Sequence, residues 1–286
     1  MFRDCDHLLD EHYIYTIRGN WPDDCDLLLA KPVYNRTSTE SAYVKIVDQK
    51  GSNGENLVWL DPTGLEHLSS KGIADIMPSP DSLWFRMALE LQMAGIPTDM
   101  IGIFGSHRLR LPRCRDVDFI IYGRDNMYKL KAGMDRFKRN LGLANHTVKH
   151  ASYQVETHGR FYAGENNDLL LCLLNKWSTC AFTHESTSTI RFVDESDQSG
   201  KLLKDSLYQT DLSQTIVLEG IVSGAENTSF IPRRFELNDG RTTFQIISPL
   251  WIFHQCVKDN DLVRVTGALL NNHVILRNYD HGIKFI

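Results

Sequence analysis

The 286-residue chain lacks the short patterns that mark the commonest nucleotide-dependent and hydrolytic enzymes. It contains no G-x-x-x-x-G-K-[ST], no G-x-S-x-G elbow and no G-x-G-x-x-G. P-loop ATPase, α/β-hydrolase and dinucleotide-oxidoreductase readings therefore lose their main support. It also lacks a C-x-x-C pair: Cys5, Cys25, Cys114, Cys172, Cys180 and Cys256 are scattered. That argues against a disulfide framework or zinc site and fits reduced thiols in a cytoplasmic chain. There is no excess of positive charge, with 31 Lys and Arg against 36 Asp and Glu, a formal net charge of −5. Indiscriminate polyanion binding is thereby disfavoured, and any nucleic-acid surface has to be a local patch. No apolar run approaches ~18 residues, and the opening MFRDCDHLLDEH is too acidic for a signal peptide, so no membrane contact is expected.

What is present is ordinary for a globular protein, 42% apolar and 23% charged, with length enough for two domains and a small third. The most informative stretch is Met100 to Gly123. One strand-like apolar run, Ile101 to Phe104, ends in Gly105-Ser106; nine residues later Asp116-Val117-Asp118 begins a second, reaching Tyr122. Residues two apart on a strand share a face, so Asp116 and Asp118 would stand side by side. Adjacent carboxylates repel, and a proton or a divalent cation relieves that repulsion.

Gly105-Ser106 followed by Asp116-x-Asp118 on a hydrophobic strand resembles the signature of the DNA polymerase β-type nucleotidyltransferase superfamily. The resemblance implies that the Gly-Ser turn holds the triphosphate of a nucleotide and that Asp116 and Asp118 hold two Mg²⁺ ions. It implies a third carboxylate on a later strand, for which Asp168 is the choice and Glu156 the rival. Arg108 and Arg110 are the expected triphosphate partners, being always charged and able to bind bidentately. Short blocks elsewhere are similar to a group of uncharacterised predicted prokaryotic nucleotidyltransferases with a C-terminal OB-like domain. They include Arg18-Gly19, Trp21-Pro22, Ala30 to Tyr34, Arg160-Phe161 and Pro232 to Phe235. Two positions depart from that group: Arg110 stands where a second glycine is usual, and Arg115 where a serine commonly precedes the Asp pair.

Along the chain, residues 1–78 read as a β-rich segment, with strands at Tyr13 to Ile17, Asp26 to Tyr34, Tyr43 to Val47 and Leu57 to Leu60. Residues 79–184 read as the catalytic domain. Apolar residues at helical spacing predict a helix over 81–94, capped by Ser79 or Asp81 and ended by Gly95. A second helix, 126–141, carries Lys129, Lys131, Arg136, Lys138 and Arg139, a charge run that suits a solvated face or a phosphate backbone. Further strands are expected over 147–163 and 168–174, with Asp168 at the mouth of the latter. Residues 185–214 read as a linker, and 215–286 as five strands with a helix-like segment at 251–257 between the third and fourth. That last pattern is similar to an OB-fold barrel. Phe230, Arg233, Arg234, Phe235, Arg241 and Phe244 would supply its nucleic-acid face, with Arg233, Arg234 and Phe235 as the binding residues.

The expected class is therefore α+β: a mixed nucleotidyltransferase-type sheet with helices, an N-terminal β-rich segment and a C-terminal OB-like barrel. The expected activity is Mg²⁺-dependent transfer of a nucleoside monophosphate from a nucleoside triphosphate to an acceptor hydroxyl on RNA, tRNA among the candidates. The alternative is a nucleic-acid-binding protein with a catalytically degenerate core.

Overall fold

The β-branched and aromatic segments near the N-terminus pair into an antiparallel sheet in the computed structural model. The structure describes residues 1–36, 43–45, 57–73, 82–110, 118–145, 148–158, 166–181, 187–196, 199–207, 215–270, 272–277 and 281–286. The first strands are β1 (His7–Leu9), β2 (Tyr13–Ile17), β3 (Leu28–Arg36), β4 (Tyr43–Lys45), β5 (Val58–Leu60) and β6 (Glu66–Leu68). They pair in the order β4-β3-β2-β1-β6, with β5 also on β3. The short strands β1 and β6 were not expected from the sequence; three residues each carry too little periodicity to stand out.

The chain then changes period. Helix α1 (Leu83–Met93) is capped by Ser82, whose hydroxyl accepts the Phe85 N–H, and Gly95 beyond it adopts φ +82°. Ser79 and Asp81 lie outside the described residues. Strand β7 (Ile101–Phe104), the short helix α2 (Gly105–Arg108), β8 (Asp118–Tyr122) and α3 (Arg124–Leu141) follow. Next come β9 (Ala144–Asn145), α4 (Val148–His158), α5 (Asn166–Leu174), β10 (Thr179–Ala181), β11 (Thr187–Val193) and α6 (Ser199–Leu207).

The second sheet runs β7-β8-β11-β10-β9, with β7 antiparallel and β11 parallel to β8. Alternation gives it two different faces. Ile101, Ile103, Phe119, Ile121, Ile190 and Phe192 face α1 and α3, meeting Met87, Leu91, Met127, Leu130 and Phe137 in one core. Burying each of these side chains is worth about 1.5 to 3 kcal/mol. Phe104, Ile120, Tyr122 and Val193 face the other way and pack on Cys5 of the N-terminal segment.

Three expectations need correction. Residues 148–158 and 166–174 are helices, not strands. Val148, Ala151 and Val155 recur at helical spacing, and a run of Leu and Cys lacks the β-branched residues that favour a strand. Residues 187–193, inside the stretch read as a linker, form β11 at the centre of the second sheet. Polar residues on both sides hid it, although Ile190, Phe192 and Val193 are buried.

The C-terminal strands are β12 (Thr215–Ser223), β13 (Arg233–Asn238), β14 (Thr243–Ser248), β15 (Leu262–Leu270), β16 (His273–Ile275) and β17 (Gly282–Phe285). Five of them close on themselves as β12-β13-β14-β16-β15-β12, and β17 adds to β15. Asp239 and Gly240 make the β13–β14 turn, in which the Asp239 carboxylate accepts the N–H groups of Arg241 and Thr242. The barrel interior shares one core with α4 and α5 through Ala151, Leu169, Cys172 and Leu173. No helix among the described residues is long and apolar enough to cross a membrane.

Candidate active site

Asp118 opens β8, and the antiparallel register sets it opposite Phe104, the last residue of β7. The chain turns at the following residue, Gly105, which adopts φ +69°. A methyl group built on Gly105 would lie 3.3 Å from Asp118 Oδ2. The carboxylate therefore sits over the bend, at a distance that leaves room for backbone and little else. Ser106, half-buried, is the next residue. Left-handed backbone costs an L side chain about 1 to 2 kcal/mol, so Gly105→Ala is expected to lose that much stability in urea or thermal unfolding. A variant as stable as the wild type would show that the bend tolerates a side chain.

The remaining residues singled out from the sequence are distributed as follows. Asp116 and Arg115 lie outside the described residues. Arg108 Nε donates to the Ser69 carbonyl at 2.6 Å, which ties it to the N-terminal sheet. Arg110 is exposed, with φ +51°. Asp168 sits in the first turn of α5, buried, and its carboxylate accepts the Phe285 N–H at 3.0 Å. It joins the helix to β17 of the barrel. Its rival Glu156 lies exposed on α4. Both had been assigned to strands, and the helical geometry removes the reason for choosing either.

The expected nucleic-acid face is not assembled as one surface. On β13 the alternation turns Arg233, Phe235 and Leu237 inward, and all three are buried. Phe235 belongs to the barrel core, and Phe230 is buried beneath the guanidinium of Arg124. Arg234 and Phe244 are half-buried, while Arg241 is exposed at the hairpin. Of the α3 cations, Lys138 is buried and donates to the Trp177 carbonyl, so it is not a solvated phosphate contact.

Sequence reasoning missed Arg191. The parallel register pairs it with Ile120, placing it on the face that carries Asp118. Its guanidinium lies 4.1 Å over the ring of Phe104, the register partner of Asp118. The signal was available: in Ile190-Arg191-Phe192-Val193 an arginine interrupts an otherwise apolar strand.

His7, at the start of β1, is buried with neither ring nitrogen hydrogen-bonded among the described residues. Burial pushes its pKa down to about 4; Asp6 opposes the shift, and Arg108, Arg191 and Arg18 reinforce it. The unfolded chain takes up this proton near 6.5, so the stabilisation is full above that pH. It falls by about 1.4 kcal/mol per unit on acidification, a total of about 3 kcal/mol that is gone below pH ~4. Burial lowers His254 as well, with the same sign. Between pH 7 and 5 the wild-type melting temperature is expected to fall, and His7→Gln to flatten that slope without abolishing it. An unchanged slope in the variant would place the proton uptake elsewhere.

The oxygen donors of aspartate suit Mg²⁺, and Asp118 offers one such group at the bend. No group of three or more His, Cys, Asp or Glu side chains is gathered for a metal among the described residues. Compared with known proteins, the chain matches no family model, no curated protein and no solved structure.

Proposed function

We propose that this chain is a nucleotidyltransferase that moves a nucleoside monophosphate from a nucleoside triphosphate to an acceptor hydroxyl. The observation that carries the reading is that Asp118 lies against the Gly105-Ser106 bend, its Oδ2 3.3 Å from where a Cβ on Gly105 would sit. A carboxylate beside a glycine turn, on the rim of a mixed sheet backed by two helices, supports one part of the arrangement that the sequence resemblance implies. Asp118, joined by Asp116, would hold Mg²⁺, which supplies charge neutralisation on the phosphates when bound. Gly105 lets backbone approach a phosphate oxygen without obstruction, and Ser106 can donate from its N–H and hydroxyl. Positioning and electrostatic stabilisation carry most of such a reaction, because charge spread over the phosphates is the main obstacle.

The five-stranded closed barrel supports the OB-like reading. Its fourth strand, β15, returns beside its first, β12, and a 3₁₀ turn at Trp251–Phe253 separates the third and fourth strands. An RNA acceptor remains the proposed substrate on that basis, although Arg233 and Phe235 are withdrawn from the contact surface by their burial. Incubation with each α-labelled triphosphate, Mg²⁺ and total cellular RNA or protein tests the reading. Transfer of label supports the enzyme. Nucleotide binding without transfer supports instead a nucleic-acid-binding protein with a degenerate core.

A further inference from the structure

Behind the barrel's 3₁₀ turn lies a largely buried group of cations, of which Arg191 also reaches over Phe104 beside the bend and donates to the Cys5 sulfur. Trp251, half-buried, is the plate around which they collect. The Arg191 guanidinium lies 4.1 Å over its ring, the Lys176 ammonium 5.0 Å and the Arg233 guanidinium 5.4 Å, while the His254 imidazole stacks on it at 4.3 Å. Lys176, Arg233 and His254 are all more than nine-tenths buried. Arg233 Nε, Arg191 Nε and His254 Nδ1 are buried atoms with no hydrogen-bond partner among the described residues. Asp4 is the carboxylate that acts on Arg233, and its own oxygens already accept the Gly19 N–H and the Cys5 thiol.

Such a group is costly by itself. Each buried charge without a partner forfeits hydration, and like charges around one ring repel. Cation–π attraction to a single indole offsets only part of this. Proteins keep unpaired buried cations where an anion arrives to complete them.

Lys176 joins the group to a cleft. Lys176, Gln255 and Ser229 line this cleft of about 560 Å³ between α3 and the barrel, whose wall carries Lys131, Lys138 and Lys258 and also Asp135, Glu226 and Asp259. The same residues reach the cation group: Arg233 Nη1 donates to the Ser229 carbonyl, and Gln255 Nε2 to the Ser229 hydroxyl. The volume is that of a small-ligand site.

We propose that this cleft and the Arg191–Arg233–Lys176 group at its back form a binding site for a phosphate ester. Phosphate is favoured over a carboxylate because three cations need more than one negative charge and more than two acceptor oxygens. Guanidinium groups held face-on by aromatic rings present their N–H edges to such an oxyanion. The site is built without Asp118, Gly105 or Ser106, so it stands independently of the transfer reading.

The test uses the full chain in Mg²⁺-free buffer containing EDTA, with chloride, inorganic phosphate, pyrophosphate or adenosine 5′-monophosphate at matched ionic strength. Phosphate-bearing probes are expected to raise the melting temperature above the chloride value. A larger rise with the nucleotide identifies a nucleotide ester as the source, and an equal rise with pyrophosphate identifies the phosphate group itself. Arg233→Met is expected to weaken phosphate binding by about tenfold or more. In chloride alone it is expected to melt at or above the wild-type temperature, because a buried unpaired charge has gone. If that variant does not fold, Lys176→Met serves in its place. No phosphate-specific rise in the wild type, or an undiminished rise in the folded variant, overturns the proposal. Failure here leaves label transfer at Asp118 untouched, and loss of transfer in an Asp118 variant leaves phosphate binding intact, so the two readings fail separately.

Discussion

Asp118→Asn is expected to lower nucleotide transfer by roughly 10³-fold or more while leaving the fold intact. The carboxylate supplies a negative charge and hard oxygen donors where Mg²⁺ would bind, and asparagine keeps the shape without the charge. Charge stabilisation by a bound metal is worth several kcal/mol of barrier, and about 4 kcal/mol is ~10³ in rate. Stability should hold or rise, since a carboxylate kept for chemistry commonly costs stability. The comparison is incorporation of α-labelled nucleotide by the two proteins, with melting curves alongside. Wild-type incorporation by Asp118→Asn would remove this residue from the chemistry and leave the bend without a catalytic partner.

Gly102→Ala is expected to destabilise the protein by about 3 kcal/mol or more, the upper range for overpacking a tight contact. Gly102 lies in the middle of β7 and forms an isolated bridge with Lys71. A Cβ there would meet the Ser70 carbonyl oxygen at 2.3 Å and Tyr122 Cε2 at 2.9 Å. The first of these is backbone, so no side-chain rotation relieves it. That same carbonyl accepts the Ile103 N–H at 3.0 Å, and Ser70 N–H donates to Asp6. Pushing the two apart strips the N-terminal segment from the face that carries Asp118, Tyr122 and Arg191. Chemical unfolding and limited proteolysis of the N-terminal sheet would report the loss. A change within about 0.5 kcal/mol, the range of an ordinary surface substitution, would mean that the N-terminal sheet docks loosely.

Strands with alternation or strong β content were legible. Tyr13–Ile17 and Ile101–Phe104 are legible in the sequence with their observed limits, and the bend after the latter in Gly105-Ser106. The departures share a cause: in a short run, apolar content carries less information than spacing. Leu169 to Leu174 looked like a buried strand because every residue is apolar, yet an apolar run surrounded on several sides fits a helix equally well. Here α4 and the barrel surround it. The choice of Asp168 as a third ligand rested on a strand there, and that segment is helical. Arg233 illustrates the opposite error. Its charge suggested a surface contact, whereas its place in the alternation with Phe235 and Leu237 required it to point inward. The convergence of Arg191, Lys176 and Arg233 on one indole was invisible, because it joins three elements far apart in the chain.

The N-terminal sheet is tied down by partners that the ribosome makes much later. Arg3 and Lys71 both hold Glu195, the former across 192 positions, and Asn20 donates to the Asp194 carbonyl across 174. At synthesis rates of about 5 to 20 residues per second, the first strands wait roughly 10 to 40 s for these anchors. Contacts of such sequence separation also slow the search once synthesis ends. Through that interval Cys5 has Phe104, Ile120 and Tyr122 to lie against but not Val193, and Leu8 has Ile17, Trp21 and Leu28 but not Leu203, so the first sheet is only partly covered until the chain passes residue 203.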